Sequence, residues 1–343
     1  MTTLWLDHRD LELRHEGGSI VPYVSGQRQR PVPLRLLQRV VIVGNCHLSA
    51  SLLGLLAEHG VAVAIVSPRL SARRAWLLGP AHNDASLRLA QLRAMADATF
   101  RQRQAHALVL AKVRRQQELV EEMRAARPDA GLPLKKAHDI ITGIRTTLEA
   151  ADAADISHDA LRGLEGSASR AQFQALAAVV PPSLGFTGRR RRPPTDPVNA
   201  LLSLSYTLLH HRAAQTAWAY GLDPLLGFFH EPSHGRESLA ADLIEAWRPE
   251  VDRWVWHLLA KRVLRGAHFS GGPSDEAGAA TEDNKPADKP CLLGKAGRRI
   301  FYERYDKDLK HLHRALRLQV RALVRLIRAH ATKGSREDES PVF

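Results

Sequence analysis

The chain lacks most of what an oxidising or lipid environment demands. Only two cysteines, Cys46 and Cys291, occur in 343 residues. They are too few and too distant for a disulfide framework or a zinc ribbon, and they suit a reducing compartment. No apolar run approaches the ~20 residues of a membrane-spanning helix, because Glu58 and His59 divide the longest stretches, Leu52 to Ala57 and Val61 to Val66. Met1 to Asp10 mixes charged and apolar side chains too early for the apolar segment of a signal peptide, and no internal repeat is present. The expected location is the cytoplasm, with no membrane contact. Acidic residues are also in deficit, 36 against 49 Lys and Arg, for a net charge of +13. A surplus of that size points to a polyanionic partner, nucleic acid before lipid headgroups. With 44% hydrophobic and 25% charged residues, the chain has the composition of a globular protein of one large or two ordinary domains.

The pattern changes once along the chain. Thr3 to Leu6, Leu11 to His15, Ser19 to Val24, Arg39 to Val43, Val61 to Ser67 and Arg74 to Leu78 are short, β-branched or alternating segments separated by Gly, Pro or charged turns, which predicts strands. One helix is expected among them, Leu48 to His59, stopped by Gly60. From Asn83 onward the period moves from two to about 3.6. A long polar helix is predicted over Ser86 to Arg127, its basic excess fitting either an anion-binding wall or a solvated face, and another begins at Asp196-Pro197, an N-cap followed by Pro. In Leu309 to Arg328, Leu312, Leu316, Val320, Leu323 and Ile327 form an apolar stripe, while Arg314, Arg317, Arg321, Arg325 and Arg328 form a basic one. That basic stripe is either a solvated face or a phosphate-tracking one. The expected fold is α+β: a small β-rich N-terminal domain over 1–82 and a larger all-α domain over 83–331. Residues 267–290, rich in Gly, Ala, Pro and acids, read as a disordered loop, and 332–343 as a flexible tail.

Residues 227–249 carry the most conspicuous chemistry. His230-Glu231-Pro232-Ser233-His234 satisfies H-E-x-x-H, which in a zinc peptidase needs both histidines on one helical face. Pro232 between Gly227 and Gly235 instead predicts a loop. A helix then starts from Ser238 as N-cap, with Pro249 as its limit or kink, and Asp242 and Glu245, three apart, share a face. His230, on the loop before them, can fold back over these carboxylates. One histidine with carboxylates suits Mg²⁺ or Mn²⁺ better than structural zinc. Glu165, among the small residues of GLEGSASR, is the best third donor, although a surface helix glutamate would read the same way. Arg189, Arg190, Arg191 and Arg192 precede Pro193-Pro194 and either solubilise a loop or clamp a DNA backbone. His138-Asp139 is too short a match for a phosphohydrolase dyad, and His210-His211 reads as packing or capping.

Three segments in this order, G-L-E-G, then R-R-R-P-P-x-D-P-V-N-A-L-L-S, then G-F-F-H with S-L-A-x-D-L-I-E-x-x-R-P, resemble the CRISPR-associated spacer-acquisition integrases. V-V-I-V-G, L-A-E-H-G-V-A-V-A-I-V-S and N-D-x-S-L-R-L-A-Q resemble the same family's β-domain and the entry to its helical domain, so the likeness covers most of the chain. It implies a metal-dependent DNA endonuclease and integrase of CRISPR adaptation. Such an enzyme joins the 3′-hydroxyl of a captured double-stranded fragment to the CRISPR repeat by transesterification. Glu165, His230 and Glu245 match the family's Mg²⁺ or Mn²⁺ ligands and Asp242 the nearby acid, with the direct ligand between Asp242 and Glu245 left open. Asn199 and Arg248 fall in the same motifs, and they join Arg189 to Arg192, Lys295, Arg298 and Arg299 as expected DNA contacts. The family's partners are a second copy, a homodimer made through the β-domain, and the small second acquisition protein in a heterohexamer. The long acidic loop at 267–290 and the Glu231-Pro232 pair after the histidine depart from the family pattern. A histidine ligand must be neutral, so activity is expected to fall on acidification. The alternative from another class is a DNA-binding scaffold without catalysis.

Overall fold

The computed structural model describes residues 2–8, 10–66, 74–77, 82–190, 193–270 and 290–337. Arg191, Arg192, most of the predicted loop (271–289) and the last residues of the predicted tail (338–343) lie outside them. The chain divides into two units, Met1–Asn83 with Tyr302–Lys307, and Asp84–Phe301 with Asp308–Phe343.

The first unit holds nine strands and one helix among the described residues: β1 (Thr2–Leu6), β2 (Leu11–Glu16), β3 (Ser19–Val24), β4 (Gln27–Arg28), β5 (Val32–Pro33), β6 (Leu37–Val43), β7 (Cys46–Leu48), α1 (Ala50–Glu58), β8 (Ala62–Val66) and β9 (Arg74–Leu77). One sheet runs β1-β6-β8-β9, parallel except for β9, and the other runs β4-β3-β2-β7, with β5 also on β3. The near-continuous apolar sequences of β6 and β8 suit central strands of a parallel sheet, where both faces are covered. Gly17 and Gly18, at φ 54° and 74°, make the two-residue turn between β2 and β3, a conformation that matches strand twist and favours glycine. Leu11, Leu13, Ile20, Val40, Ile42, Leu52, Leu56 and Val63 fill the core of this unit. Leu48, expected in the helix, closes β7 instead, and Ser49 caps α1 by accepting from Leu52 N at 3.2 Å. Trp5 stacks on Tyr302 at 4.3 Å and donates its indole N–H to Asp306, which explains why a piece of a later helix belongs to this unit.

The second unit is helical: α2 (Ala85–Ala96), α3 (Ala98–Ala126), α4 (Gly131–Ala150), α5 (His158–Val179), α6 (Pro197–Ala219), α7 (Ser238–Glu245), α8 (Arg248–Ala260), α9 (Lys295–Asp308) and α10 (Lys310–Glu337). The single helix expected over Ser86 to Arg127 is two. Asp97 leaves helical backbone (φ −70°, ψ 110°) and its carboxylate caps α3 at Phe100 N, 2.9 Å away. Asp196 caps α6 through Asn199 N at 2.9 Å, with Pro197 in the first turn as expected. Ser238 is not the cap of α7 but its first residue, and its hydroxyl donates to Glu231 O at 2.9 Å. Pro249 starts α8 where a proline costs no hydrogen bond, so α7 and α8 are separate helices. The predicted loop begins later than residue 267: His268 ends a 3₁₀ turn, and β10 (Phe269–Ser270) pairs antiparallel with β11 (Leu292–Leu293). The predicted tail also starts later, because α10 continues to Glu337. Among the described residues no helix is long and apolar enough to cross a membrane.

Candidate active site

α3 packs against α5, α7 and α8, and its inward stripe is not purely apolar. Val109, Val113, Val120 and Met123 are buried, and Lys112 and Gln116 occupy positions on the same stripe. A lysine with a side chain 5% exposed requires anionic partners, and it finds two. Its Nζ donates to Glu165 Oε1 of α5 and to Glu245 Oε1 of α7, the latter at 2.5 Å. Ser169, one turn beyond Glu165, donates to the same Glu165 oxygen at 2.8 Å, and Gln116 Nε2 donates to Ser169 at 3.2 Å. The second oxygen of Glu245 meets Arg248 Nε at 2.7 Å. Burial would raise the Glu245 carboxyl, but Arg248 and Lys112 outweigh it and hold the group well below the usual carboxylate range.

His230 arrives from the loop between α6 and α7. Residues 230–234 are not helical, so the H-E-x-x-H match cannot place two histidines on one helical face, and the zinc-peptidase reading is removed. Asp242 instead gathers the loop. Its Oδ2 accepts from Phe228 N and Phe229 N at 2.6 and 2.9 Å, and its Oδ1 accepts from His230 N at 2.9 Å and from His230 Nδ1 at 2.7 Å. The loop reaches this carboxylate only because residue 227 is glycine: a Cβ there would lie 2.7 Å from the Ser238 carbonyl carbon and 2.8 Å from Asp242 Oδ2. In the neutral tautomer whose Nδ1–H donates to Asp242, His230 has its free ring lone pair on Nε2. It stands within electrostatic reach of Glu245.

A second layer supports Arg248. Its guanidinium lies 4.7 Å from the centre of the Tyr206 ring, and Arg189 lies 5.5 Å from the same ring. The Tyr206 hydroxyl donates to Asp252 Oδ1 while Gln172 Nε2 donates to Oδ2 at 2.5 Å, and burial pushes this carboxyl up to about 6. Asn199, expected at DNA, is instead buried. Its side chain accepts from Arg189 Nη1 and Arg190 N and donates to Gly188 O and Asp196 Oδ2, stapling the arginine loop to α6. Lys295 and Arg299 are exposed at the start of α9, and Arg298 donates to Leu293 O at 2.9 Å. His138 meets Glu121 at 3.2 Å, and His210, read as packing or capping, instead meets the Glu237 carboxylate at 2.8 Å.

The sequence profile described as CRISPR associated protein Cas1 matches residues 4–307. The chain belongs to the Cas1 family. It is 35% identical over 327 residues to the CRISPR-associated endonuclease Cas1 1 of Thermodesulfovibrio yellowstonii, covering 95% of this chain and 97% of that protein. Among solved structures, a casposase bound to integration product superposes with a TM-score of 0.78 at 20% identity, over 95% of this chain and 90% of the casposase. A chain of a Cas6-RT-Cas1–Cas2 complex superposes at 0.76 with 22% identity, over 96% of this chain and 35% of that one. Both share the fold described above.

The donor types present fit the divalent ion that the Cas1 family implies. Glu165 and Glu245, from different helices, already converge on one cation, the Lys112 ammonium. Carboxylate oxygens with one imidazole nitrogen are the hard-to-borderline set that Mg²⁺ or Mn²⁺ accepts. Among the described residues no three His, Cys, Asp or Glu side chains stand close enough to enclose an ion as placed, and it is Lys112 that lies between the two carboxylates. Asp242 has no oxygen to spare, since both already accept two hydrogen bonds. Sequence reasoning missed Lys112, Gln116, Ser169, Tyr206 and Asp252. For the first two the signal was present, as polar residues on the apolar stripe of a helix.

Proposed function

We propose that this Cas1 protein is a metal-dependent DNA endonuclease and integrase of CRISPR adaptation, working in the cytoplasm. The observation that carries the reading is the convergence of Glu165 and Glu245 on a single cation, with His230, anchored by Asp242, within electrostatic reach of Glu245. Glu165, Glu245 and His230 would hold Mg²⁺ or Mn²⁺, which supplies Lewis acidity to a phosphodiester and lowers the pKa of a bound nucleophile. Asp242 accepts from Nδ1 and so would orient the ring of His230 with Nε2 towards a ligated ion, as second carboxylates do for metal-bound histidines. Arg248, half-buried beside Glu245, is placed to meet a phosphate oxygen. In strand transfer the 3′-hydroxyl oxygen of a captured duplex forms a bond to a repeat phosphorus, and the 3′-oxygen of the repeat strand leaves. In cleavage, water takes the nucleophile's place.

The basic stripe of α10 extends the DNA path. Arg314, Arg317, Arg321, Arg325 and Arg328 fall within about 80° of helical arc and span ~21 Å, the rise of some six phosphates along one strand of B-form DNA. No Asp or Glu interrupts α10 between Lys310 and Arg336. A homodimer made through the β-rich unit, associated with the small acquisition protein Cas2, completes the proposal. The relatedness to a chain of a Cas6-RT-Cas1–Cas2 complex supports the second partner.

The test is strand transfer of a short 3′-hydroxyl duplex into a supercoiled plasmid bearing a CRISPR repeat, with Cas2, in Mn²⁺, Mg²⁺ or EDTA. Joining that requires the metal and is lost in His230→Ala supports the enzyme. DNA binding without joining or nicking in any metal leaves a non-catalytic scaffold.

A further inference from the structure

Lys112 has no place in the ligand set above, yet it is more tightly enclosed than either glutamate it binds, with a side chain 5% exposed against 7% for Glu245 and 21% for Glu165. Burying an ammonium costs several kcal/mol unless partners return it. Here the partners are the two glutamates assigned to the metal, one from α5 and one from α7, each through Oε1. Lys112 is therefore a tie between two helices as well as a charge.

The formal charges show what this tie does. Glu165 and Glu245 bring two negative charges, and Lys112 and Arg248 bring two positive ones. Asp242 spends its own charge on three backbone N–H groups and His230. With Asp242 counted and His230 neutral, the cluster carries a single net negative charge without any added ion. A divalent cation entering between the glutamates would meet an ammonium already bound to both oxygens, and the sum would become +1 in a largely buried setting. Like charges within a few ångströms in such a setting repel by several kcal/mol. Arg248 is fixed by its contacts with Glu245 and the Tyr206 ring. Lys112 sits on a flexible four-carbon stem with a single point charge, and it is the group able to move.

We propose that Lys112 is an internal counter-cation that holds Glu165 and Glu245 together when no metal is bound and that a divalent ion must displace to enter. The role is positional: the ammonium keeps the metal-free site assembled, and it sets metal affinity below what the donors alone would give. This rests on the reading that Glu165 and Glu245 are metal ligands, and it makes the site one in which metal and lysine exclude each other.

The experiment compares wild type, Lys112→Met and His230→Ala by calorimetric titration with Mn²⁺ and by thermal unfolding in EDTA and in Mn²⁺. Lys112→Met should bind Mn²⁺ about tenfold more tightly or better, because a competing charge has gone. It should also melt lower than wild type in EDTA and recover with Mn²⁺ by more than wild type does. Because the single variant risks not folding, the double variant Lys112→Met with Glu165→Gln is made beside it. Removing one charge of each sign leaves Glu245 with Arg248, so the double variant should melt above Lys112→Met in EDTA. Equal or weaker Mn²⁺ affinity in Lys112→Met, while wild type binds and His230→Ala does not, overturns the exchange and leaves the metal site standing. Absence of Mn²⁺ binding in both wild type and Lys112→Met overturns the metal site and the exchange together. A double variant no more stable than Lys112→Met overturns the counter-cation role.

Discussion

The helical unit carries two collections of charge that obey opposite rules. Around Glu245, every charge is buried or half-buried and every one has a partner inside the chain: Lys112, Glu165, Arg248, Asp242 and His230 are joined by hydrogen bonds or ion pairs. On α10, Arg314, Arg321 and Arg325 are exposed and Arg317 is half-exposed, and among the described residues none of the four meets a carboxylate. Only Arg328 of that stripe is paired, with Asp84 at 2.8 Å. The difference separates two uses of charge. Inside, geometry is fixed by mutual neutralisation, so function depends on who replaces whom. Outside, like charges four apart repel weakly and stay free, so function depends on an external polyanion.

The largest effect should come from breaking the inner set. Glu245→Ala leaves Lys112 and Arg248 without their shared partner in the interior, and chemical denaturation should show a loss of about 3–5 kcal/mol. Restoring much of it by adding Lys112→Met would mark the loss as unpaired charge. A loss below 1 kcal/mol, no more than a surface pair is worth, would erase the comparison.

Asp252 sharpens the inner rule with pH. Burial pushes its carboxyl up to about 6, from an ordinary 3.8. Between those values the native protein keeps a proton that the unfolded chain has released, so this group's contribution is complete below about pH 4 and is lost as pH rises through 6. A gap of two pKa units is about 3 kcal/mol. Glu245, held low, has the opposite sign: its stabilisation is present above the usual glutamate range and disappears as pH falls below it. Asp252→Asn should flatten the decline in stability between pH 4 and pH 6.5, measured by urea unfolding across the range. An unchanged slope would mean that the carboxyl is not the group that titrates.

Much of this was legible in the sequence, and the reasons are local. Caps and prolines announced α6, α3 ended at its predicted proline, and β6 and β8 showed the apolar runs of covered strands. The break at Asp97 was not announced, because the polar pattern continues on both sides and one aspartate serves as the end of α2 and the cap of α3. Asp242 and Glu245 were singled out by their i, i+3 spacing, His230 by the loop before them and Glu165 by its small neighbours, and motif resemblance joined the four, since each alone reads as a solvated face or a hydrogen-bonded loop residue. Their division of labour was hidden: that Asp242 is saturated by Phe228, Phe229 and His230 depends on a loop closing over Gly227, and no spacing in one dimension reveals that. Asn199 was misread for the same reason, as its four partners come together only when the arginine loop folds onto α6.

Gly227 is the next test in size. Gly227→Ala puts a methyl against Ser238 and Asp242, which must shift to admit it. Small-to-large changes of this kind cost about 1–3 kcal/mol. The sharper readout is function: a displaced His230 should lower Mn²⁺ affinity about 10–100-fold, as loss of an orienting partner does. Wild-type affinity in a destabilised Gly227→Ala would separate the loop's packing from its role at the site.

The smallest effect on stability should come from the outer set, and it carries the other half of the comparison. Replacing Arg317, Arg321 and Arg325 by Ala removes no intramolecular partner and relieves repulsion, so the unfolding free energy should change by no more than about 0.5 kcal/mol per site. Binding of a blunt duplex should nevertheless weaken, and it should do so in a way that reports counterions. Each arginine that neutralises a phosphate contributes about 0.9 to the slope of log affinity against log salt, so the triple variant should be shallower by nearly three. Lys136→Ala, exposed on α4, offers a control of equal charge change per residue at another position. If the three arginines lower the slope no more than net charge lost elsewhere does, α10 presents a solvated face, and only the inner charges of this unit have an assigned task. If they lower it by the full amount while the fold stays as stable, the same helical unit neutralises its own charges around Glu245 and withholds neutralisation on α10, where the external polyanion binds.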